Sequence, residues 1–255
     1  MLILEECSVF VKVRPMIYKG CSEKSDGNMY LSREGFGPAN VANREWYFER
    51  IGLSRKKIVA ANLVHGTHVA IVDSSSPEFL LDTDALVTKE NGIILTLTGA
   101  DCFPVYFEDE THGIIGLAHC GWRGITDGIL EETVRAIESL VSEENEIPRQ
   151  ARNDKSEMLQ SIKVTIGPGI CEKHFEIKED ILENFSEYPE AIIREGEGIY
   201  IDLRAIMKTQ LKRLGMTDER IIDRGECTYC LTEKYFSYRR DKPEHLEAQA
   251  AYIAQ

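Results

Sequence analysis

Residues Ile93–Ala118 read IILTLTGADCFPVYFEDETHGIIGLA, and they decide the fold class. Ile93 to Thr98, Pro104 to Phe107 and Gly113 to Ala118 are each rich in strand formers. The pieces between them are short and carry glycine or acidic turn residues, so no helix separates the strands. Working outward, Val69 to Asp73 and Ile162 to Ile166 add β-rich runs, and so does Cys7-Ser-Val-Phe-Val-Lys-Val13. Gly20 to Gly27 reads as a polar loop. Residues 40–51 suit a helix opened by Asn40 and closed by Gly52. A second helix begins near Asp127 as its cap, with Glu131 and Glu132 suiting its positive end. Leu130, Val134, Ile137 and Val141 recur along it at helical spacing and predict a buried face. A third helix is capped by Asp202, carries Ile206, Gln210, Leu211 and Leu214, and stops at Gly215. Strands and helices do not alternate regularly, and neither GxGxxG nor GxxxxGK[ST] occurs. The expected class is therefore α+β rather than a Rossmann or P-loop fold.

The chain of 255 residues is within reach of one large domain, 1–255, and can bury a core without disulfides or metal. Residues 142–161 are polar and aperiodic and read as an exposed insertion. With 43 acidic against 30 basic residues the net charge is −13, which argues against nucleic acid as a partner. No apolar run approaches the roughly 20 residues needed to span a bilayer, and the N-terminus lacks the pattern of a secretory signal. Seven cysteines, an odd number, do not read as a disulfide framework, so a reducing, cytoplasmic setting is expected.

Three segments concentrate metal-capable side chains: Leu63-Val-His-Gly-Thr-His68, Thr98-Gly-Ala-Asp-Cys-Phe-Pro104 and Ala118-His-Cys-Gly-Trp-Arg-Gly124. Each adjoins an expected strand, and strand-end loops are where a rigid scaffold displays reactive groups. Imidazole and thiolate both suit zinc, and three protein ligands leave one position open. Spacing alone, with no HExxH and no paired CxxC, favours packing roles for any one of these residues.

The wording of the segments goes further. Val64-His65-Gly66, Ala100 to Pro104, Ala118 to Gly124, Ile166-Gly-Pro-Gly-Ile-Cys171 and Phe236-Ser-Tyr-Arg-Arg-Asp241 resemble, in order, motifs of the laccase-domain family. These proteins were long called multicopper polyphenol oxidases and are now understood as zinc-dependent purine nucleoside phosphorylases. The resemblance implies one domain of packed mixed β-sheets with helices outside, and zinc held by His65, Cys102 and His119. It implies phosphorolysis of adenosine, inosine, guanosine and methylthioadenosine, with adenosine deamination at the same site. Purine nucleosides and phosphate are thus the expected partners. Bacterial relatives also act as peptidoglycan editing factors. The sequence departs from the family at Ser22-Glu-Lys-Ser-Asp-Gly27, where Lys24 replaces a usual arginine, and after Asp241, where the usual Thr-Gly-Arg is absent.

Other residues carry paired readings. Lys24 and one of Arg239 and Arg240 are candidates to hold phosphate through charge-assisted bonds. Asp101 either acts as a base or caps a turn. Trp122 either stacks on a purine or fills the core. His68 and His112 read as strand-end histidines before they read as ligands. His174 and His245 read as solvated, and Cys120 as buried filler. Cys227 and Cys230 form a CxxC with no second pair, which argues against metal or redox work.

Three other functions use the same residues. A copper oxidase could employ the His-Cys-His trio, but a multicopper laccase needs many histidines in His-x-His pairs. The chain has six histidines and no such pair. A cysteine hydrolase would use Cys102 as nucleophile and His119 as its base. A non-enzymatic protein would capture peptidoglycan precursors instead of converting them.

Overall fold

The computed structural model describes residues 16–32, 37–144 and 161–255. The run at 7–13 and residues 145–160 of the expected 142–161 insertion lie outside these, while residues 142–144 belong to a helix rather than to a loop. Among the described residues, fourteen strands form three sheets. A five-stranded sheet runs β1 (Tyr18–Cys21), β14 (Gln249–Ala254), β6 (Ile93–Gly99), β2 (Lys57–Ala61), β4 (Phe79–Leu80). A six-stranded sheet runs β13 (Ile221–Asp223), β9 (Ile162–Ile166), β7 (Phe103–Asp109), β8 (Ile114–Cys120), β5 (Ala85–Thr88), β3 (Val69–Ile71). A small third sheet joins β10 (Glu176–Ile177), β12 (Gly198–Ile201) and β11 (Ile192–Glu195). Parallel and antiparallel pairs mix within the two larger sheets, consistent with an α+β fold.

The side-chain alternation of each strand sorts its residues into layers. Leu95 and Leu97 of β6 meet Leu86, Ile115 and Leu117 of the facing sheet in a core between the two sheets. Ile94, on the other face of β6, packs with Tyr47 and Phe48 of helix α1 (Pro38–Arg50). Val105 and Phe107 of β7, on the far side of the six-stranded sheet, meet Leu130, Val134 and Ile137 of helix α3 (Ile129–Glu144) and Ile206 and Leu211 of helix α4 (Leu203–Arg213). The layers are thus helix, sheet, sheet, helices.

The helix ends differ from expectation in two places. Helix α1 starts at Pro38, whose fixed φ suits a first turn, and Asn40 lies within it, donating from its side chain to Tyr30 O at 2.8 Å. Asp127 does not cap a helix. It ends a short helix α2 (Trp122–Asp127), and Gly128 at φ 96° breaks the chain before α3 begins. The expected Asp202 cap is present, its side chain accepting from Ala205 N at 3.0 Å. The Gly20–Gly27 segment is not all loop, because its start belongs to β1 and Lys24–Asp26 forms a 3-10 turn.

Two chain crossings position the site. After β2 in one sheet the chain passes through His65 to β3 in the other, and after β6 it passes through Cys102 to β7. Both crossings lie at the end of the sandwich where β8 delivers His119.

Candidate functional site

His65, Cys102 and His119 offer ligand atoms that all lie within 4.8 Å of one another, a group able to hold a metal ion. The two imidazole rings meet edge to face with centroids 4.8 Å apart. Backbone conformation makes this convergence. His65 has φ 60° and Asp101, just before Cys102, has φ 89°. Left-handed backbone at a non-glycine residue costs free energy and persists where the surroundings hold it, commonly at functional sites.

At His65 the surroundings are Asp84, a residue that sequence reading passed over. Its buried carboxylate accepts from the backbone N–H of His65 at 2.9 Å, Gly66 at 2.8 Å and Val64 at 3.3 Å. It also meets His119 Nδ1 at 3.0 Å, while its carbonyl accepts from His119 N at 2.7 Å. One carboxylate therefore shapes the His65 turn and orients His119, leaving His119 Nε2 for the cluster. Its placement follows from the ladder, which pairs Ala85 of β5 with Ala118 of β8. Only a signal for β5 beside β8 could have found it.

Asp101 has both oxygens engaged: Thr228 Oγ1 donates to Oδ1 and Arg239 N to Oδ2, each at 2.7 Å. It holds the Cys102 turn against two distant segments.

Burial works to raise the Cys102 thiol, yet His119 and His65 beside it prevail and bring its pKa down to about 6. For His119 burial works downward, while Cys102 and Asp84 prevail and lift it to about 9. Both shifts run in the direction that favours a thiolate–imidazolium pair in the metal-free chain. Asp84 is held below the usual carboxylate range, because its His119 and backbone N–H bonds outweigh burial. Gly121 packs so tightly that an added Cβ would stand 2.8 Å from His65 Cδ2 and 3.1 Å from Cys102 Sγ.

The cluster lines a cleft of about 440 Å³, whose walls include Phe175, Ile170, Tyr238 and Arg239. Arg239 lies over the Phe175 ring at 5.4 Å and donates from Nη1 to the carbonyls of Glu176 at 2.8 Å and His174 at 3.2 Å. Arg240 is turned away. Its guanidinium donates to the carbonyls of Thr228, Tyr229 and Tyr235 and to Asp241. Lys24 is not part of the cleft wall, since its ammonium lies 3.7 Å from Asp241 and over the Phe236 ring. Trp122 packs on Phe185 in the core, and Cys120 is fully buried. His68 meets Asp82 O, and His112 pairs with Asp109 at 2.6 Å, both away from the cluster. His174 departs from the solvated reading by stacking on Tyr229 at 3.9 Å.

The family model described as multi-copper polyphenol oxidoreductase laccase matches residues 20–254. The chain belongs to this family. A Streptomyces coelicolor protein named purine nucleoside phosphorylase is 32% identical over 80% of this chain and 78% of its own length. A protein from an unknown prokaryotic organism, named adenosine deaminase, is 29% identical over 75% of this chain and 72% of its own. The crystal structure of YlmD from Geobacillus stearothermophilus matches with a TM-score of 0.77 at 26% identity, covering 94% of this chain and 90% of that one. Among the described residues no helix is long and apolar enough to cross a membrane.

Proposed function

We propose that this family member is a zinc-dependent purine nucleoside phosphorylase that also deaminates adenosine, with zinc held by His65, Cys102 and His119. The observation that carries the reading is the convergence of one thiol and two imidazoles, with His119 oriented by Asp84, at a cleft of about 440 Å³. One sulfur and two nitrogens, from two crossing loops and the end of β8, fit a catalytic zinc, which keeps an open position beside three protein ligands. The family description names copper, but six histidines without a His-x-His pair do not furnish a multicopper centre. The relatives named for phosphorylase and deaminase activity support the reaction class.

When bound, zinc supplies Lewis acidity at its open position. The chain's own residues do the rest. A cleft of this size admits a nucleoside, for which pockets of roughly 300–1,000 Å³ are usual. Exposed Tyr238 offers an aromatic surface to the purine, and Phe175 backs the Arg239 guanidinium. Arg239 is the cation of the cleft wall. Its Nη1 is held by two carbonyls, and among the described residues its Nε and Nη2 make no hydrogen bond, so they can fork onto phosphate. Asp101 positions both Cys102 and Arg239.

The test is product analysis with elemental analysis of the purified protein. Inosine should yield hypoxanthine only with phosphate present, adenosine should yield inosine without it, and both should follow zinc content. The thiolate–imidazolium pair favours one second reading, a cysteine hydrolase. Metal-free protein that turns over an amide substrate and is silenced by Cys102 alkylation would establish that reading and end the first.

A further inference from the structure

The Cys227-Thr-Tyr-Cys230 motif gains a third thiol in the folded chain. Cys171, on the Gly-Pro-Gly-Ile-Cys loop, is brought beside it by a bridge between Gly169 and Cys227. The three Sγ atoms lie within 4.8 Å of one another, and all three thiols are free. Backbone N–H groups point at the sulfurs. Cys171 N donates to Cys227 Sγ at 3.2 Å, Cys230 N donates to Cys227 as well, and Lys173 N donates to Cys171. Burial and the neighbouring Cys227 raise the Cys171 and Cys230 thiols, while for Cys227 the backbone donors outweigh burial, so a cation binding here displaces protons from sulfur. Cysteines acting as core filler are buried, whereas Cys230 is exposed and Cys171 only half-buried.

We propose that Cys171, Cys227 and Cys230 form a second metal site, for a thiophilic cation of the zinc class. Three thiolates supply three ligands of a tetrahedral set, and solvent reaches the fourth position on the exposed Cys230 side. The site clips together two loops that stand behind the cleft. Ile170, one residue before Cys171, donates from its N–H to Asp101 O at 2.9 Å and lines the cleft. Thr228, one residue after Cys227, donates to Asp101 Oδ1. Carbonyls of Thr228 and Tyr229 accept from Arg240. A cation on the three sulfurs therefore fixes the turn that carries Cys102 without touching substrate.

The experiment uses full-length protein kept reduced, equilibrated with zinc(II) and dialysed. The Cys102→Ser/His119→Ala double variant lacks two of the three cleft ligands, too few to hold zinc against dialysis, so zinc it retains reports on the thiol cluster, whatever becomes of the cleft reading. It should hold about one zinc per chain and lose it when Cys227→Ser is added. Wild-type protein supplies a check that needs no folded variant. Zinc(II) should slow alkylation of Cys230, Cys171 and Cys227 together, read peptide by peptide, and a chelator should restore it. Zinc-independent alkylation of Cys230 in the wild type would overturn the proposal. So would a disulfide between two of the three in zinc-saturated protein.

Discussion

Gly121→Ala is the sharpest perturbation of the cleft, because the residue's surroundings fix its cost. Gly121 sits at φ −76° and ψ 162°, a conformation alanine adopts freely, so the backbone has no objection. The methyl group does. Its carbon would lie 2.8 Å from His65 Cδ2, about 0.6 Å inside the 3.4 Å at which ordinary contact begins, and 3.1 Å from Cys102 Sγ. Zinc ligands tolerate about 0.2 Å of displacement, so the three donors cannot keep their arrangement. Overpacking costs about 1–3 kcal/mol. Taken from metal affinity, that is roughly a 5- to 150-fold weakening. The control is Gly99→Ala, in the same cleft, whose methyl would meet Cys102 O at an ordinary 3.5 Å. Zinc affinity, measured by competition with a chromogenic chelator, should fall for Gly121→Ala and hold for Gly99→Ala, with inosine phosphorolysis following it. Wild-type affinity in Gly121→Ala would show that the metal is bound elsewhere. Equal losses in both variants would reduce the argument to general damage of the cleft.

Asp84→Asn should weaken zinc about 10- to 100-fold, since an amide cannot serve His119 and three backbone N–H groups at once, and unchanged affinity would remove Asp84 from the site. Arg239→Ala should slow phosphorolysis roughly 10- to 100-fold more than deamination, through loss of a charge-assisted bond. Lys24→Ala should leave both reactions near wild type, because its partner is Asp241; the reverse ranking in phosphate-dependence assays would exchange their roles. Burial works to raise Asp223, but Lys208 and Arg204 prevail and hold it below the usual carboxylate range. A depressed folded pKa stabilises above the unfolded value of about 3.9 and loses that stabilisation as pH falls through the folded one. Denaturation at pH 7 and pH 3 should therefore show a smaller margin of wild type over Asp223→Asn at pH 3, and a constant margin would deny the linkage. Chelation at room temperature should leave the far-ultraviolet circular dichroism intact, given three apolar cores built without metal; collapse of the signal would make a metal necessary for folding.

The sequence by itself determined the local features that rest on nearest neighbours along the chain. The helical face of Leu130, Val134 and Ile137, the Asp202 cap and the strand of Ile162–Ile166 all follow from periodicity and terminal chemistry, and all are present. Strands β2, β5 and β14 escaped that reading. β5 and β14 are buried along their whole length, so they show no alternation between polar and apolar faces to mark them. The three segments bearing His65, Cys102 and His119 stand out by composition and wording, but only the tertiary structure brings their donors together, through two crossings between stacked sheets. Asp84 enters through the pairing of β5 with β8, and Cys171 joins a motif 56 residues away. Adjacent Arg239 and Arg240 were indistinguishable in sequence. A single turn of helix, α5 (Tyr238–Asp241), sends one guanidinium to the cleft and the other to backbone carbonyls. Composition names the groups available, but which of them meet depends on contacts between residues far apart in the chain, and those exist only once the layers have packed.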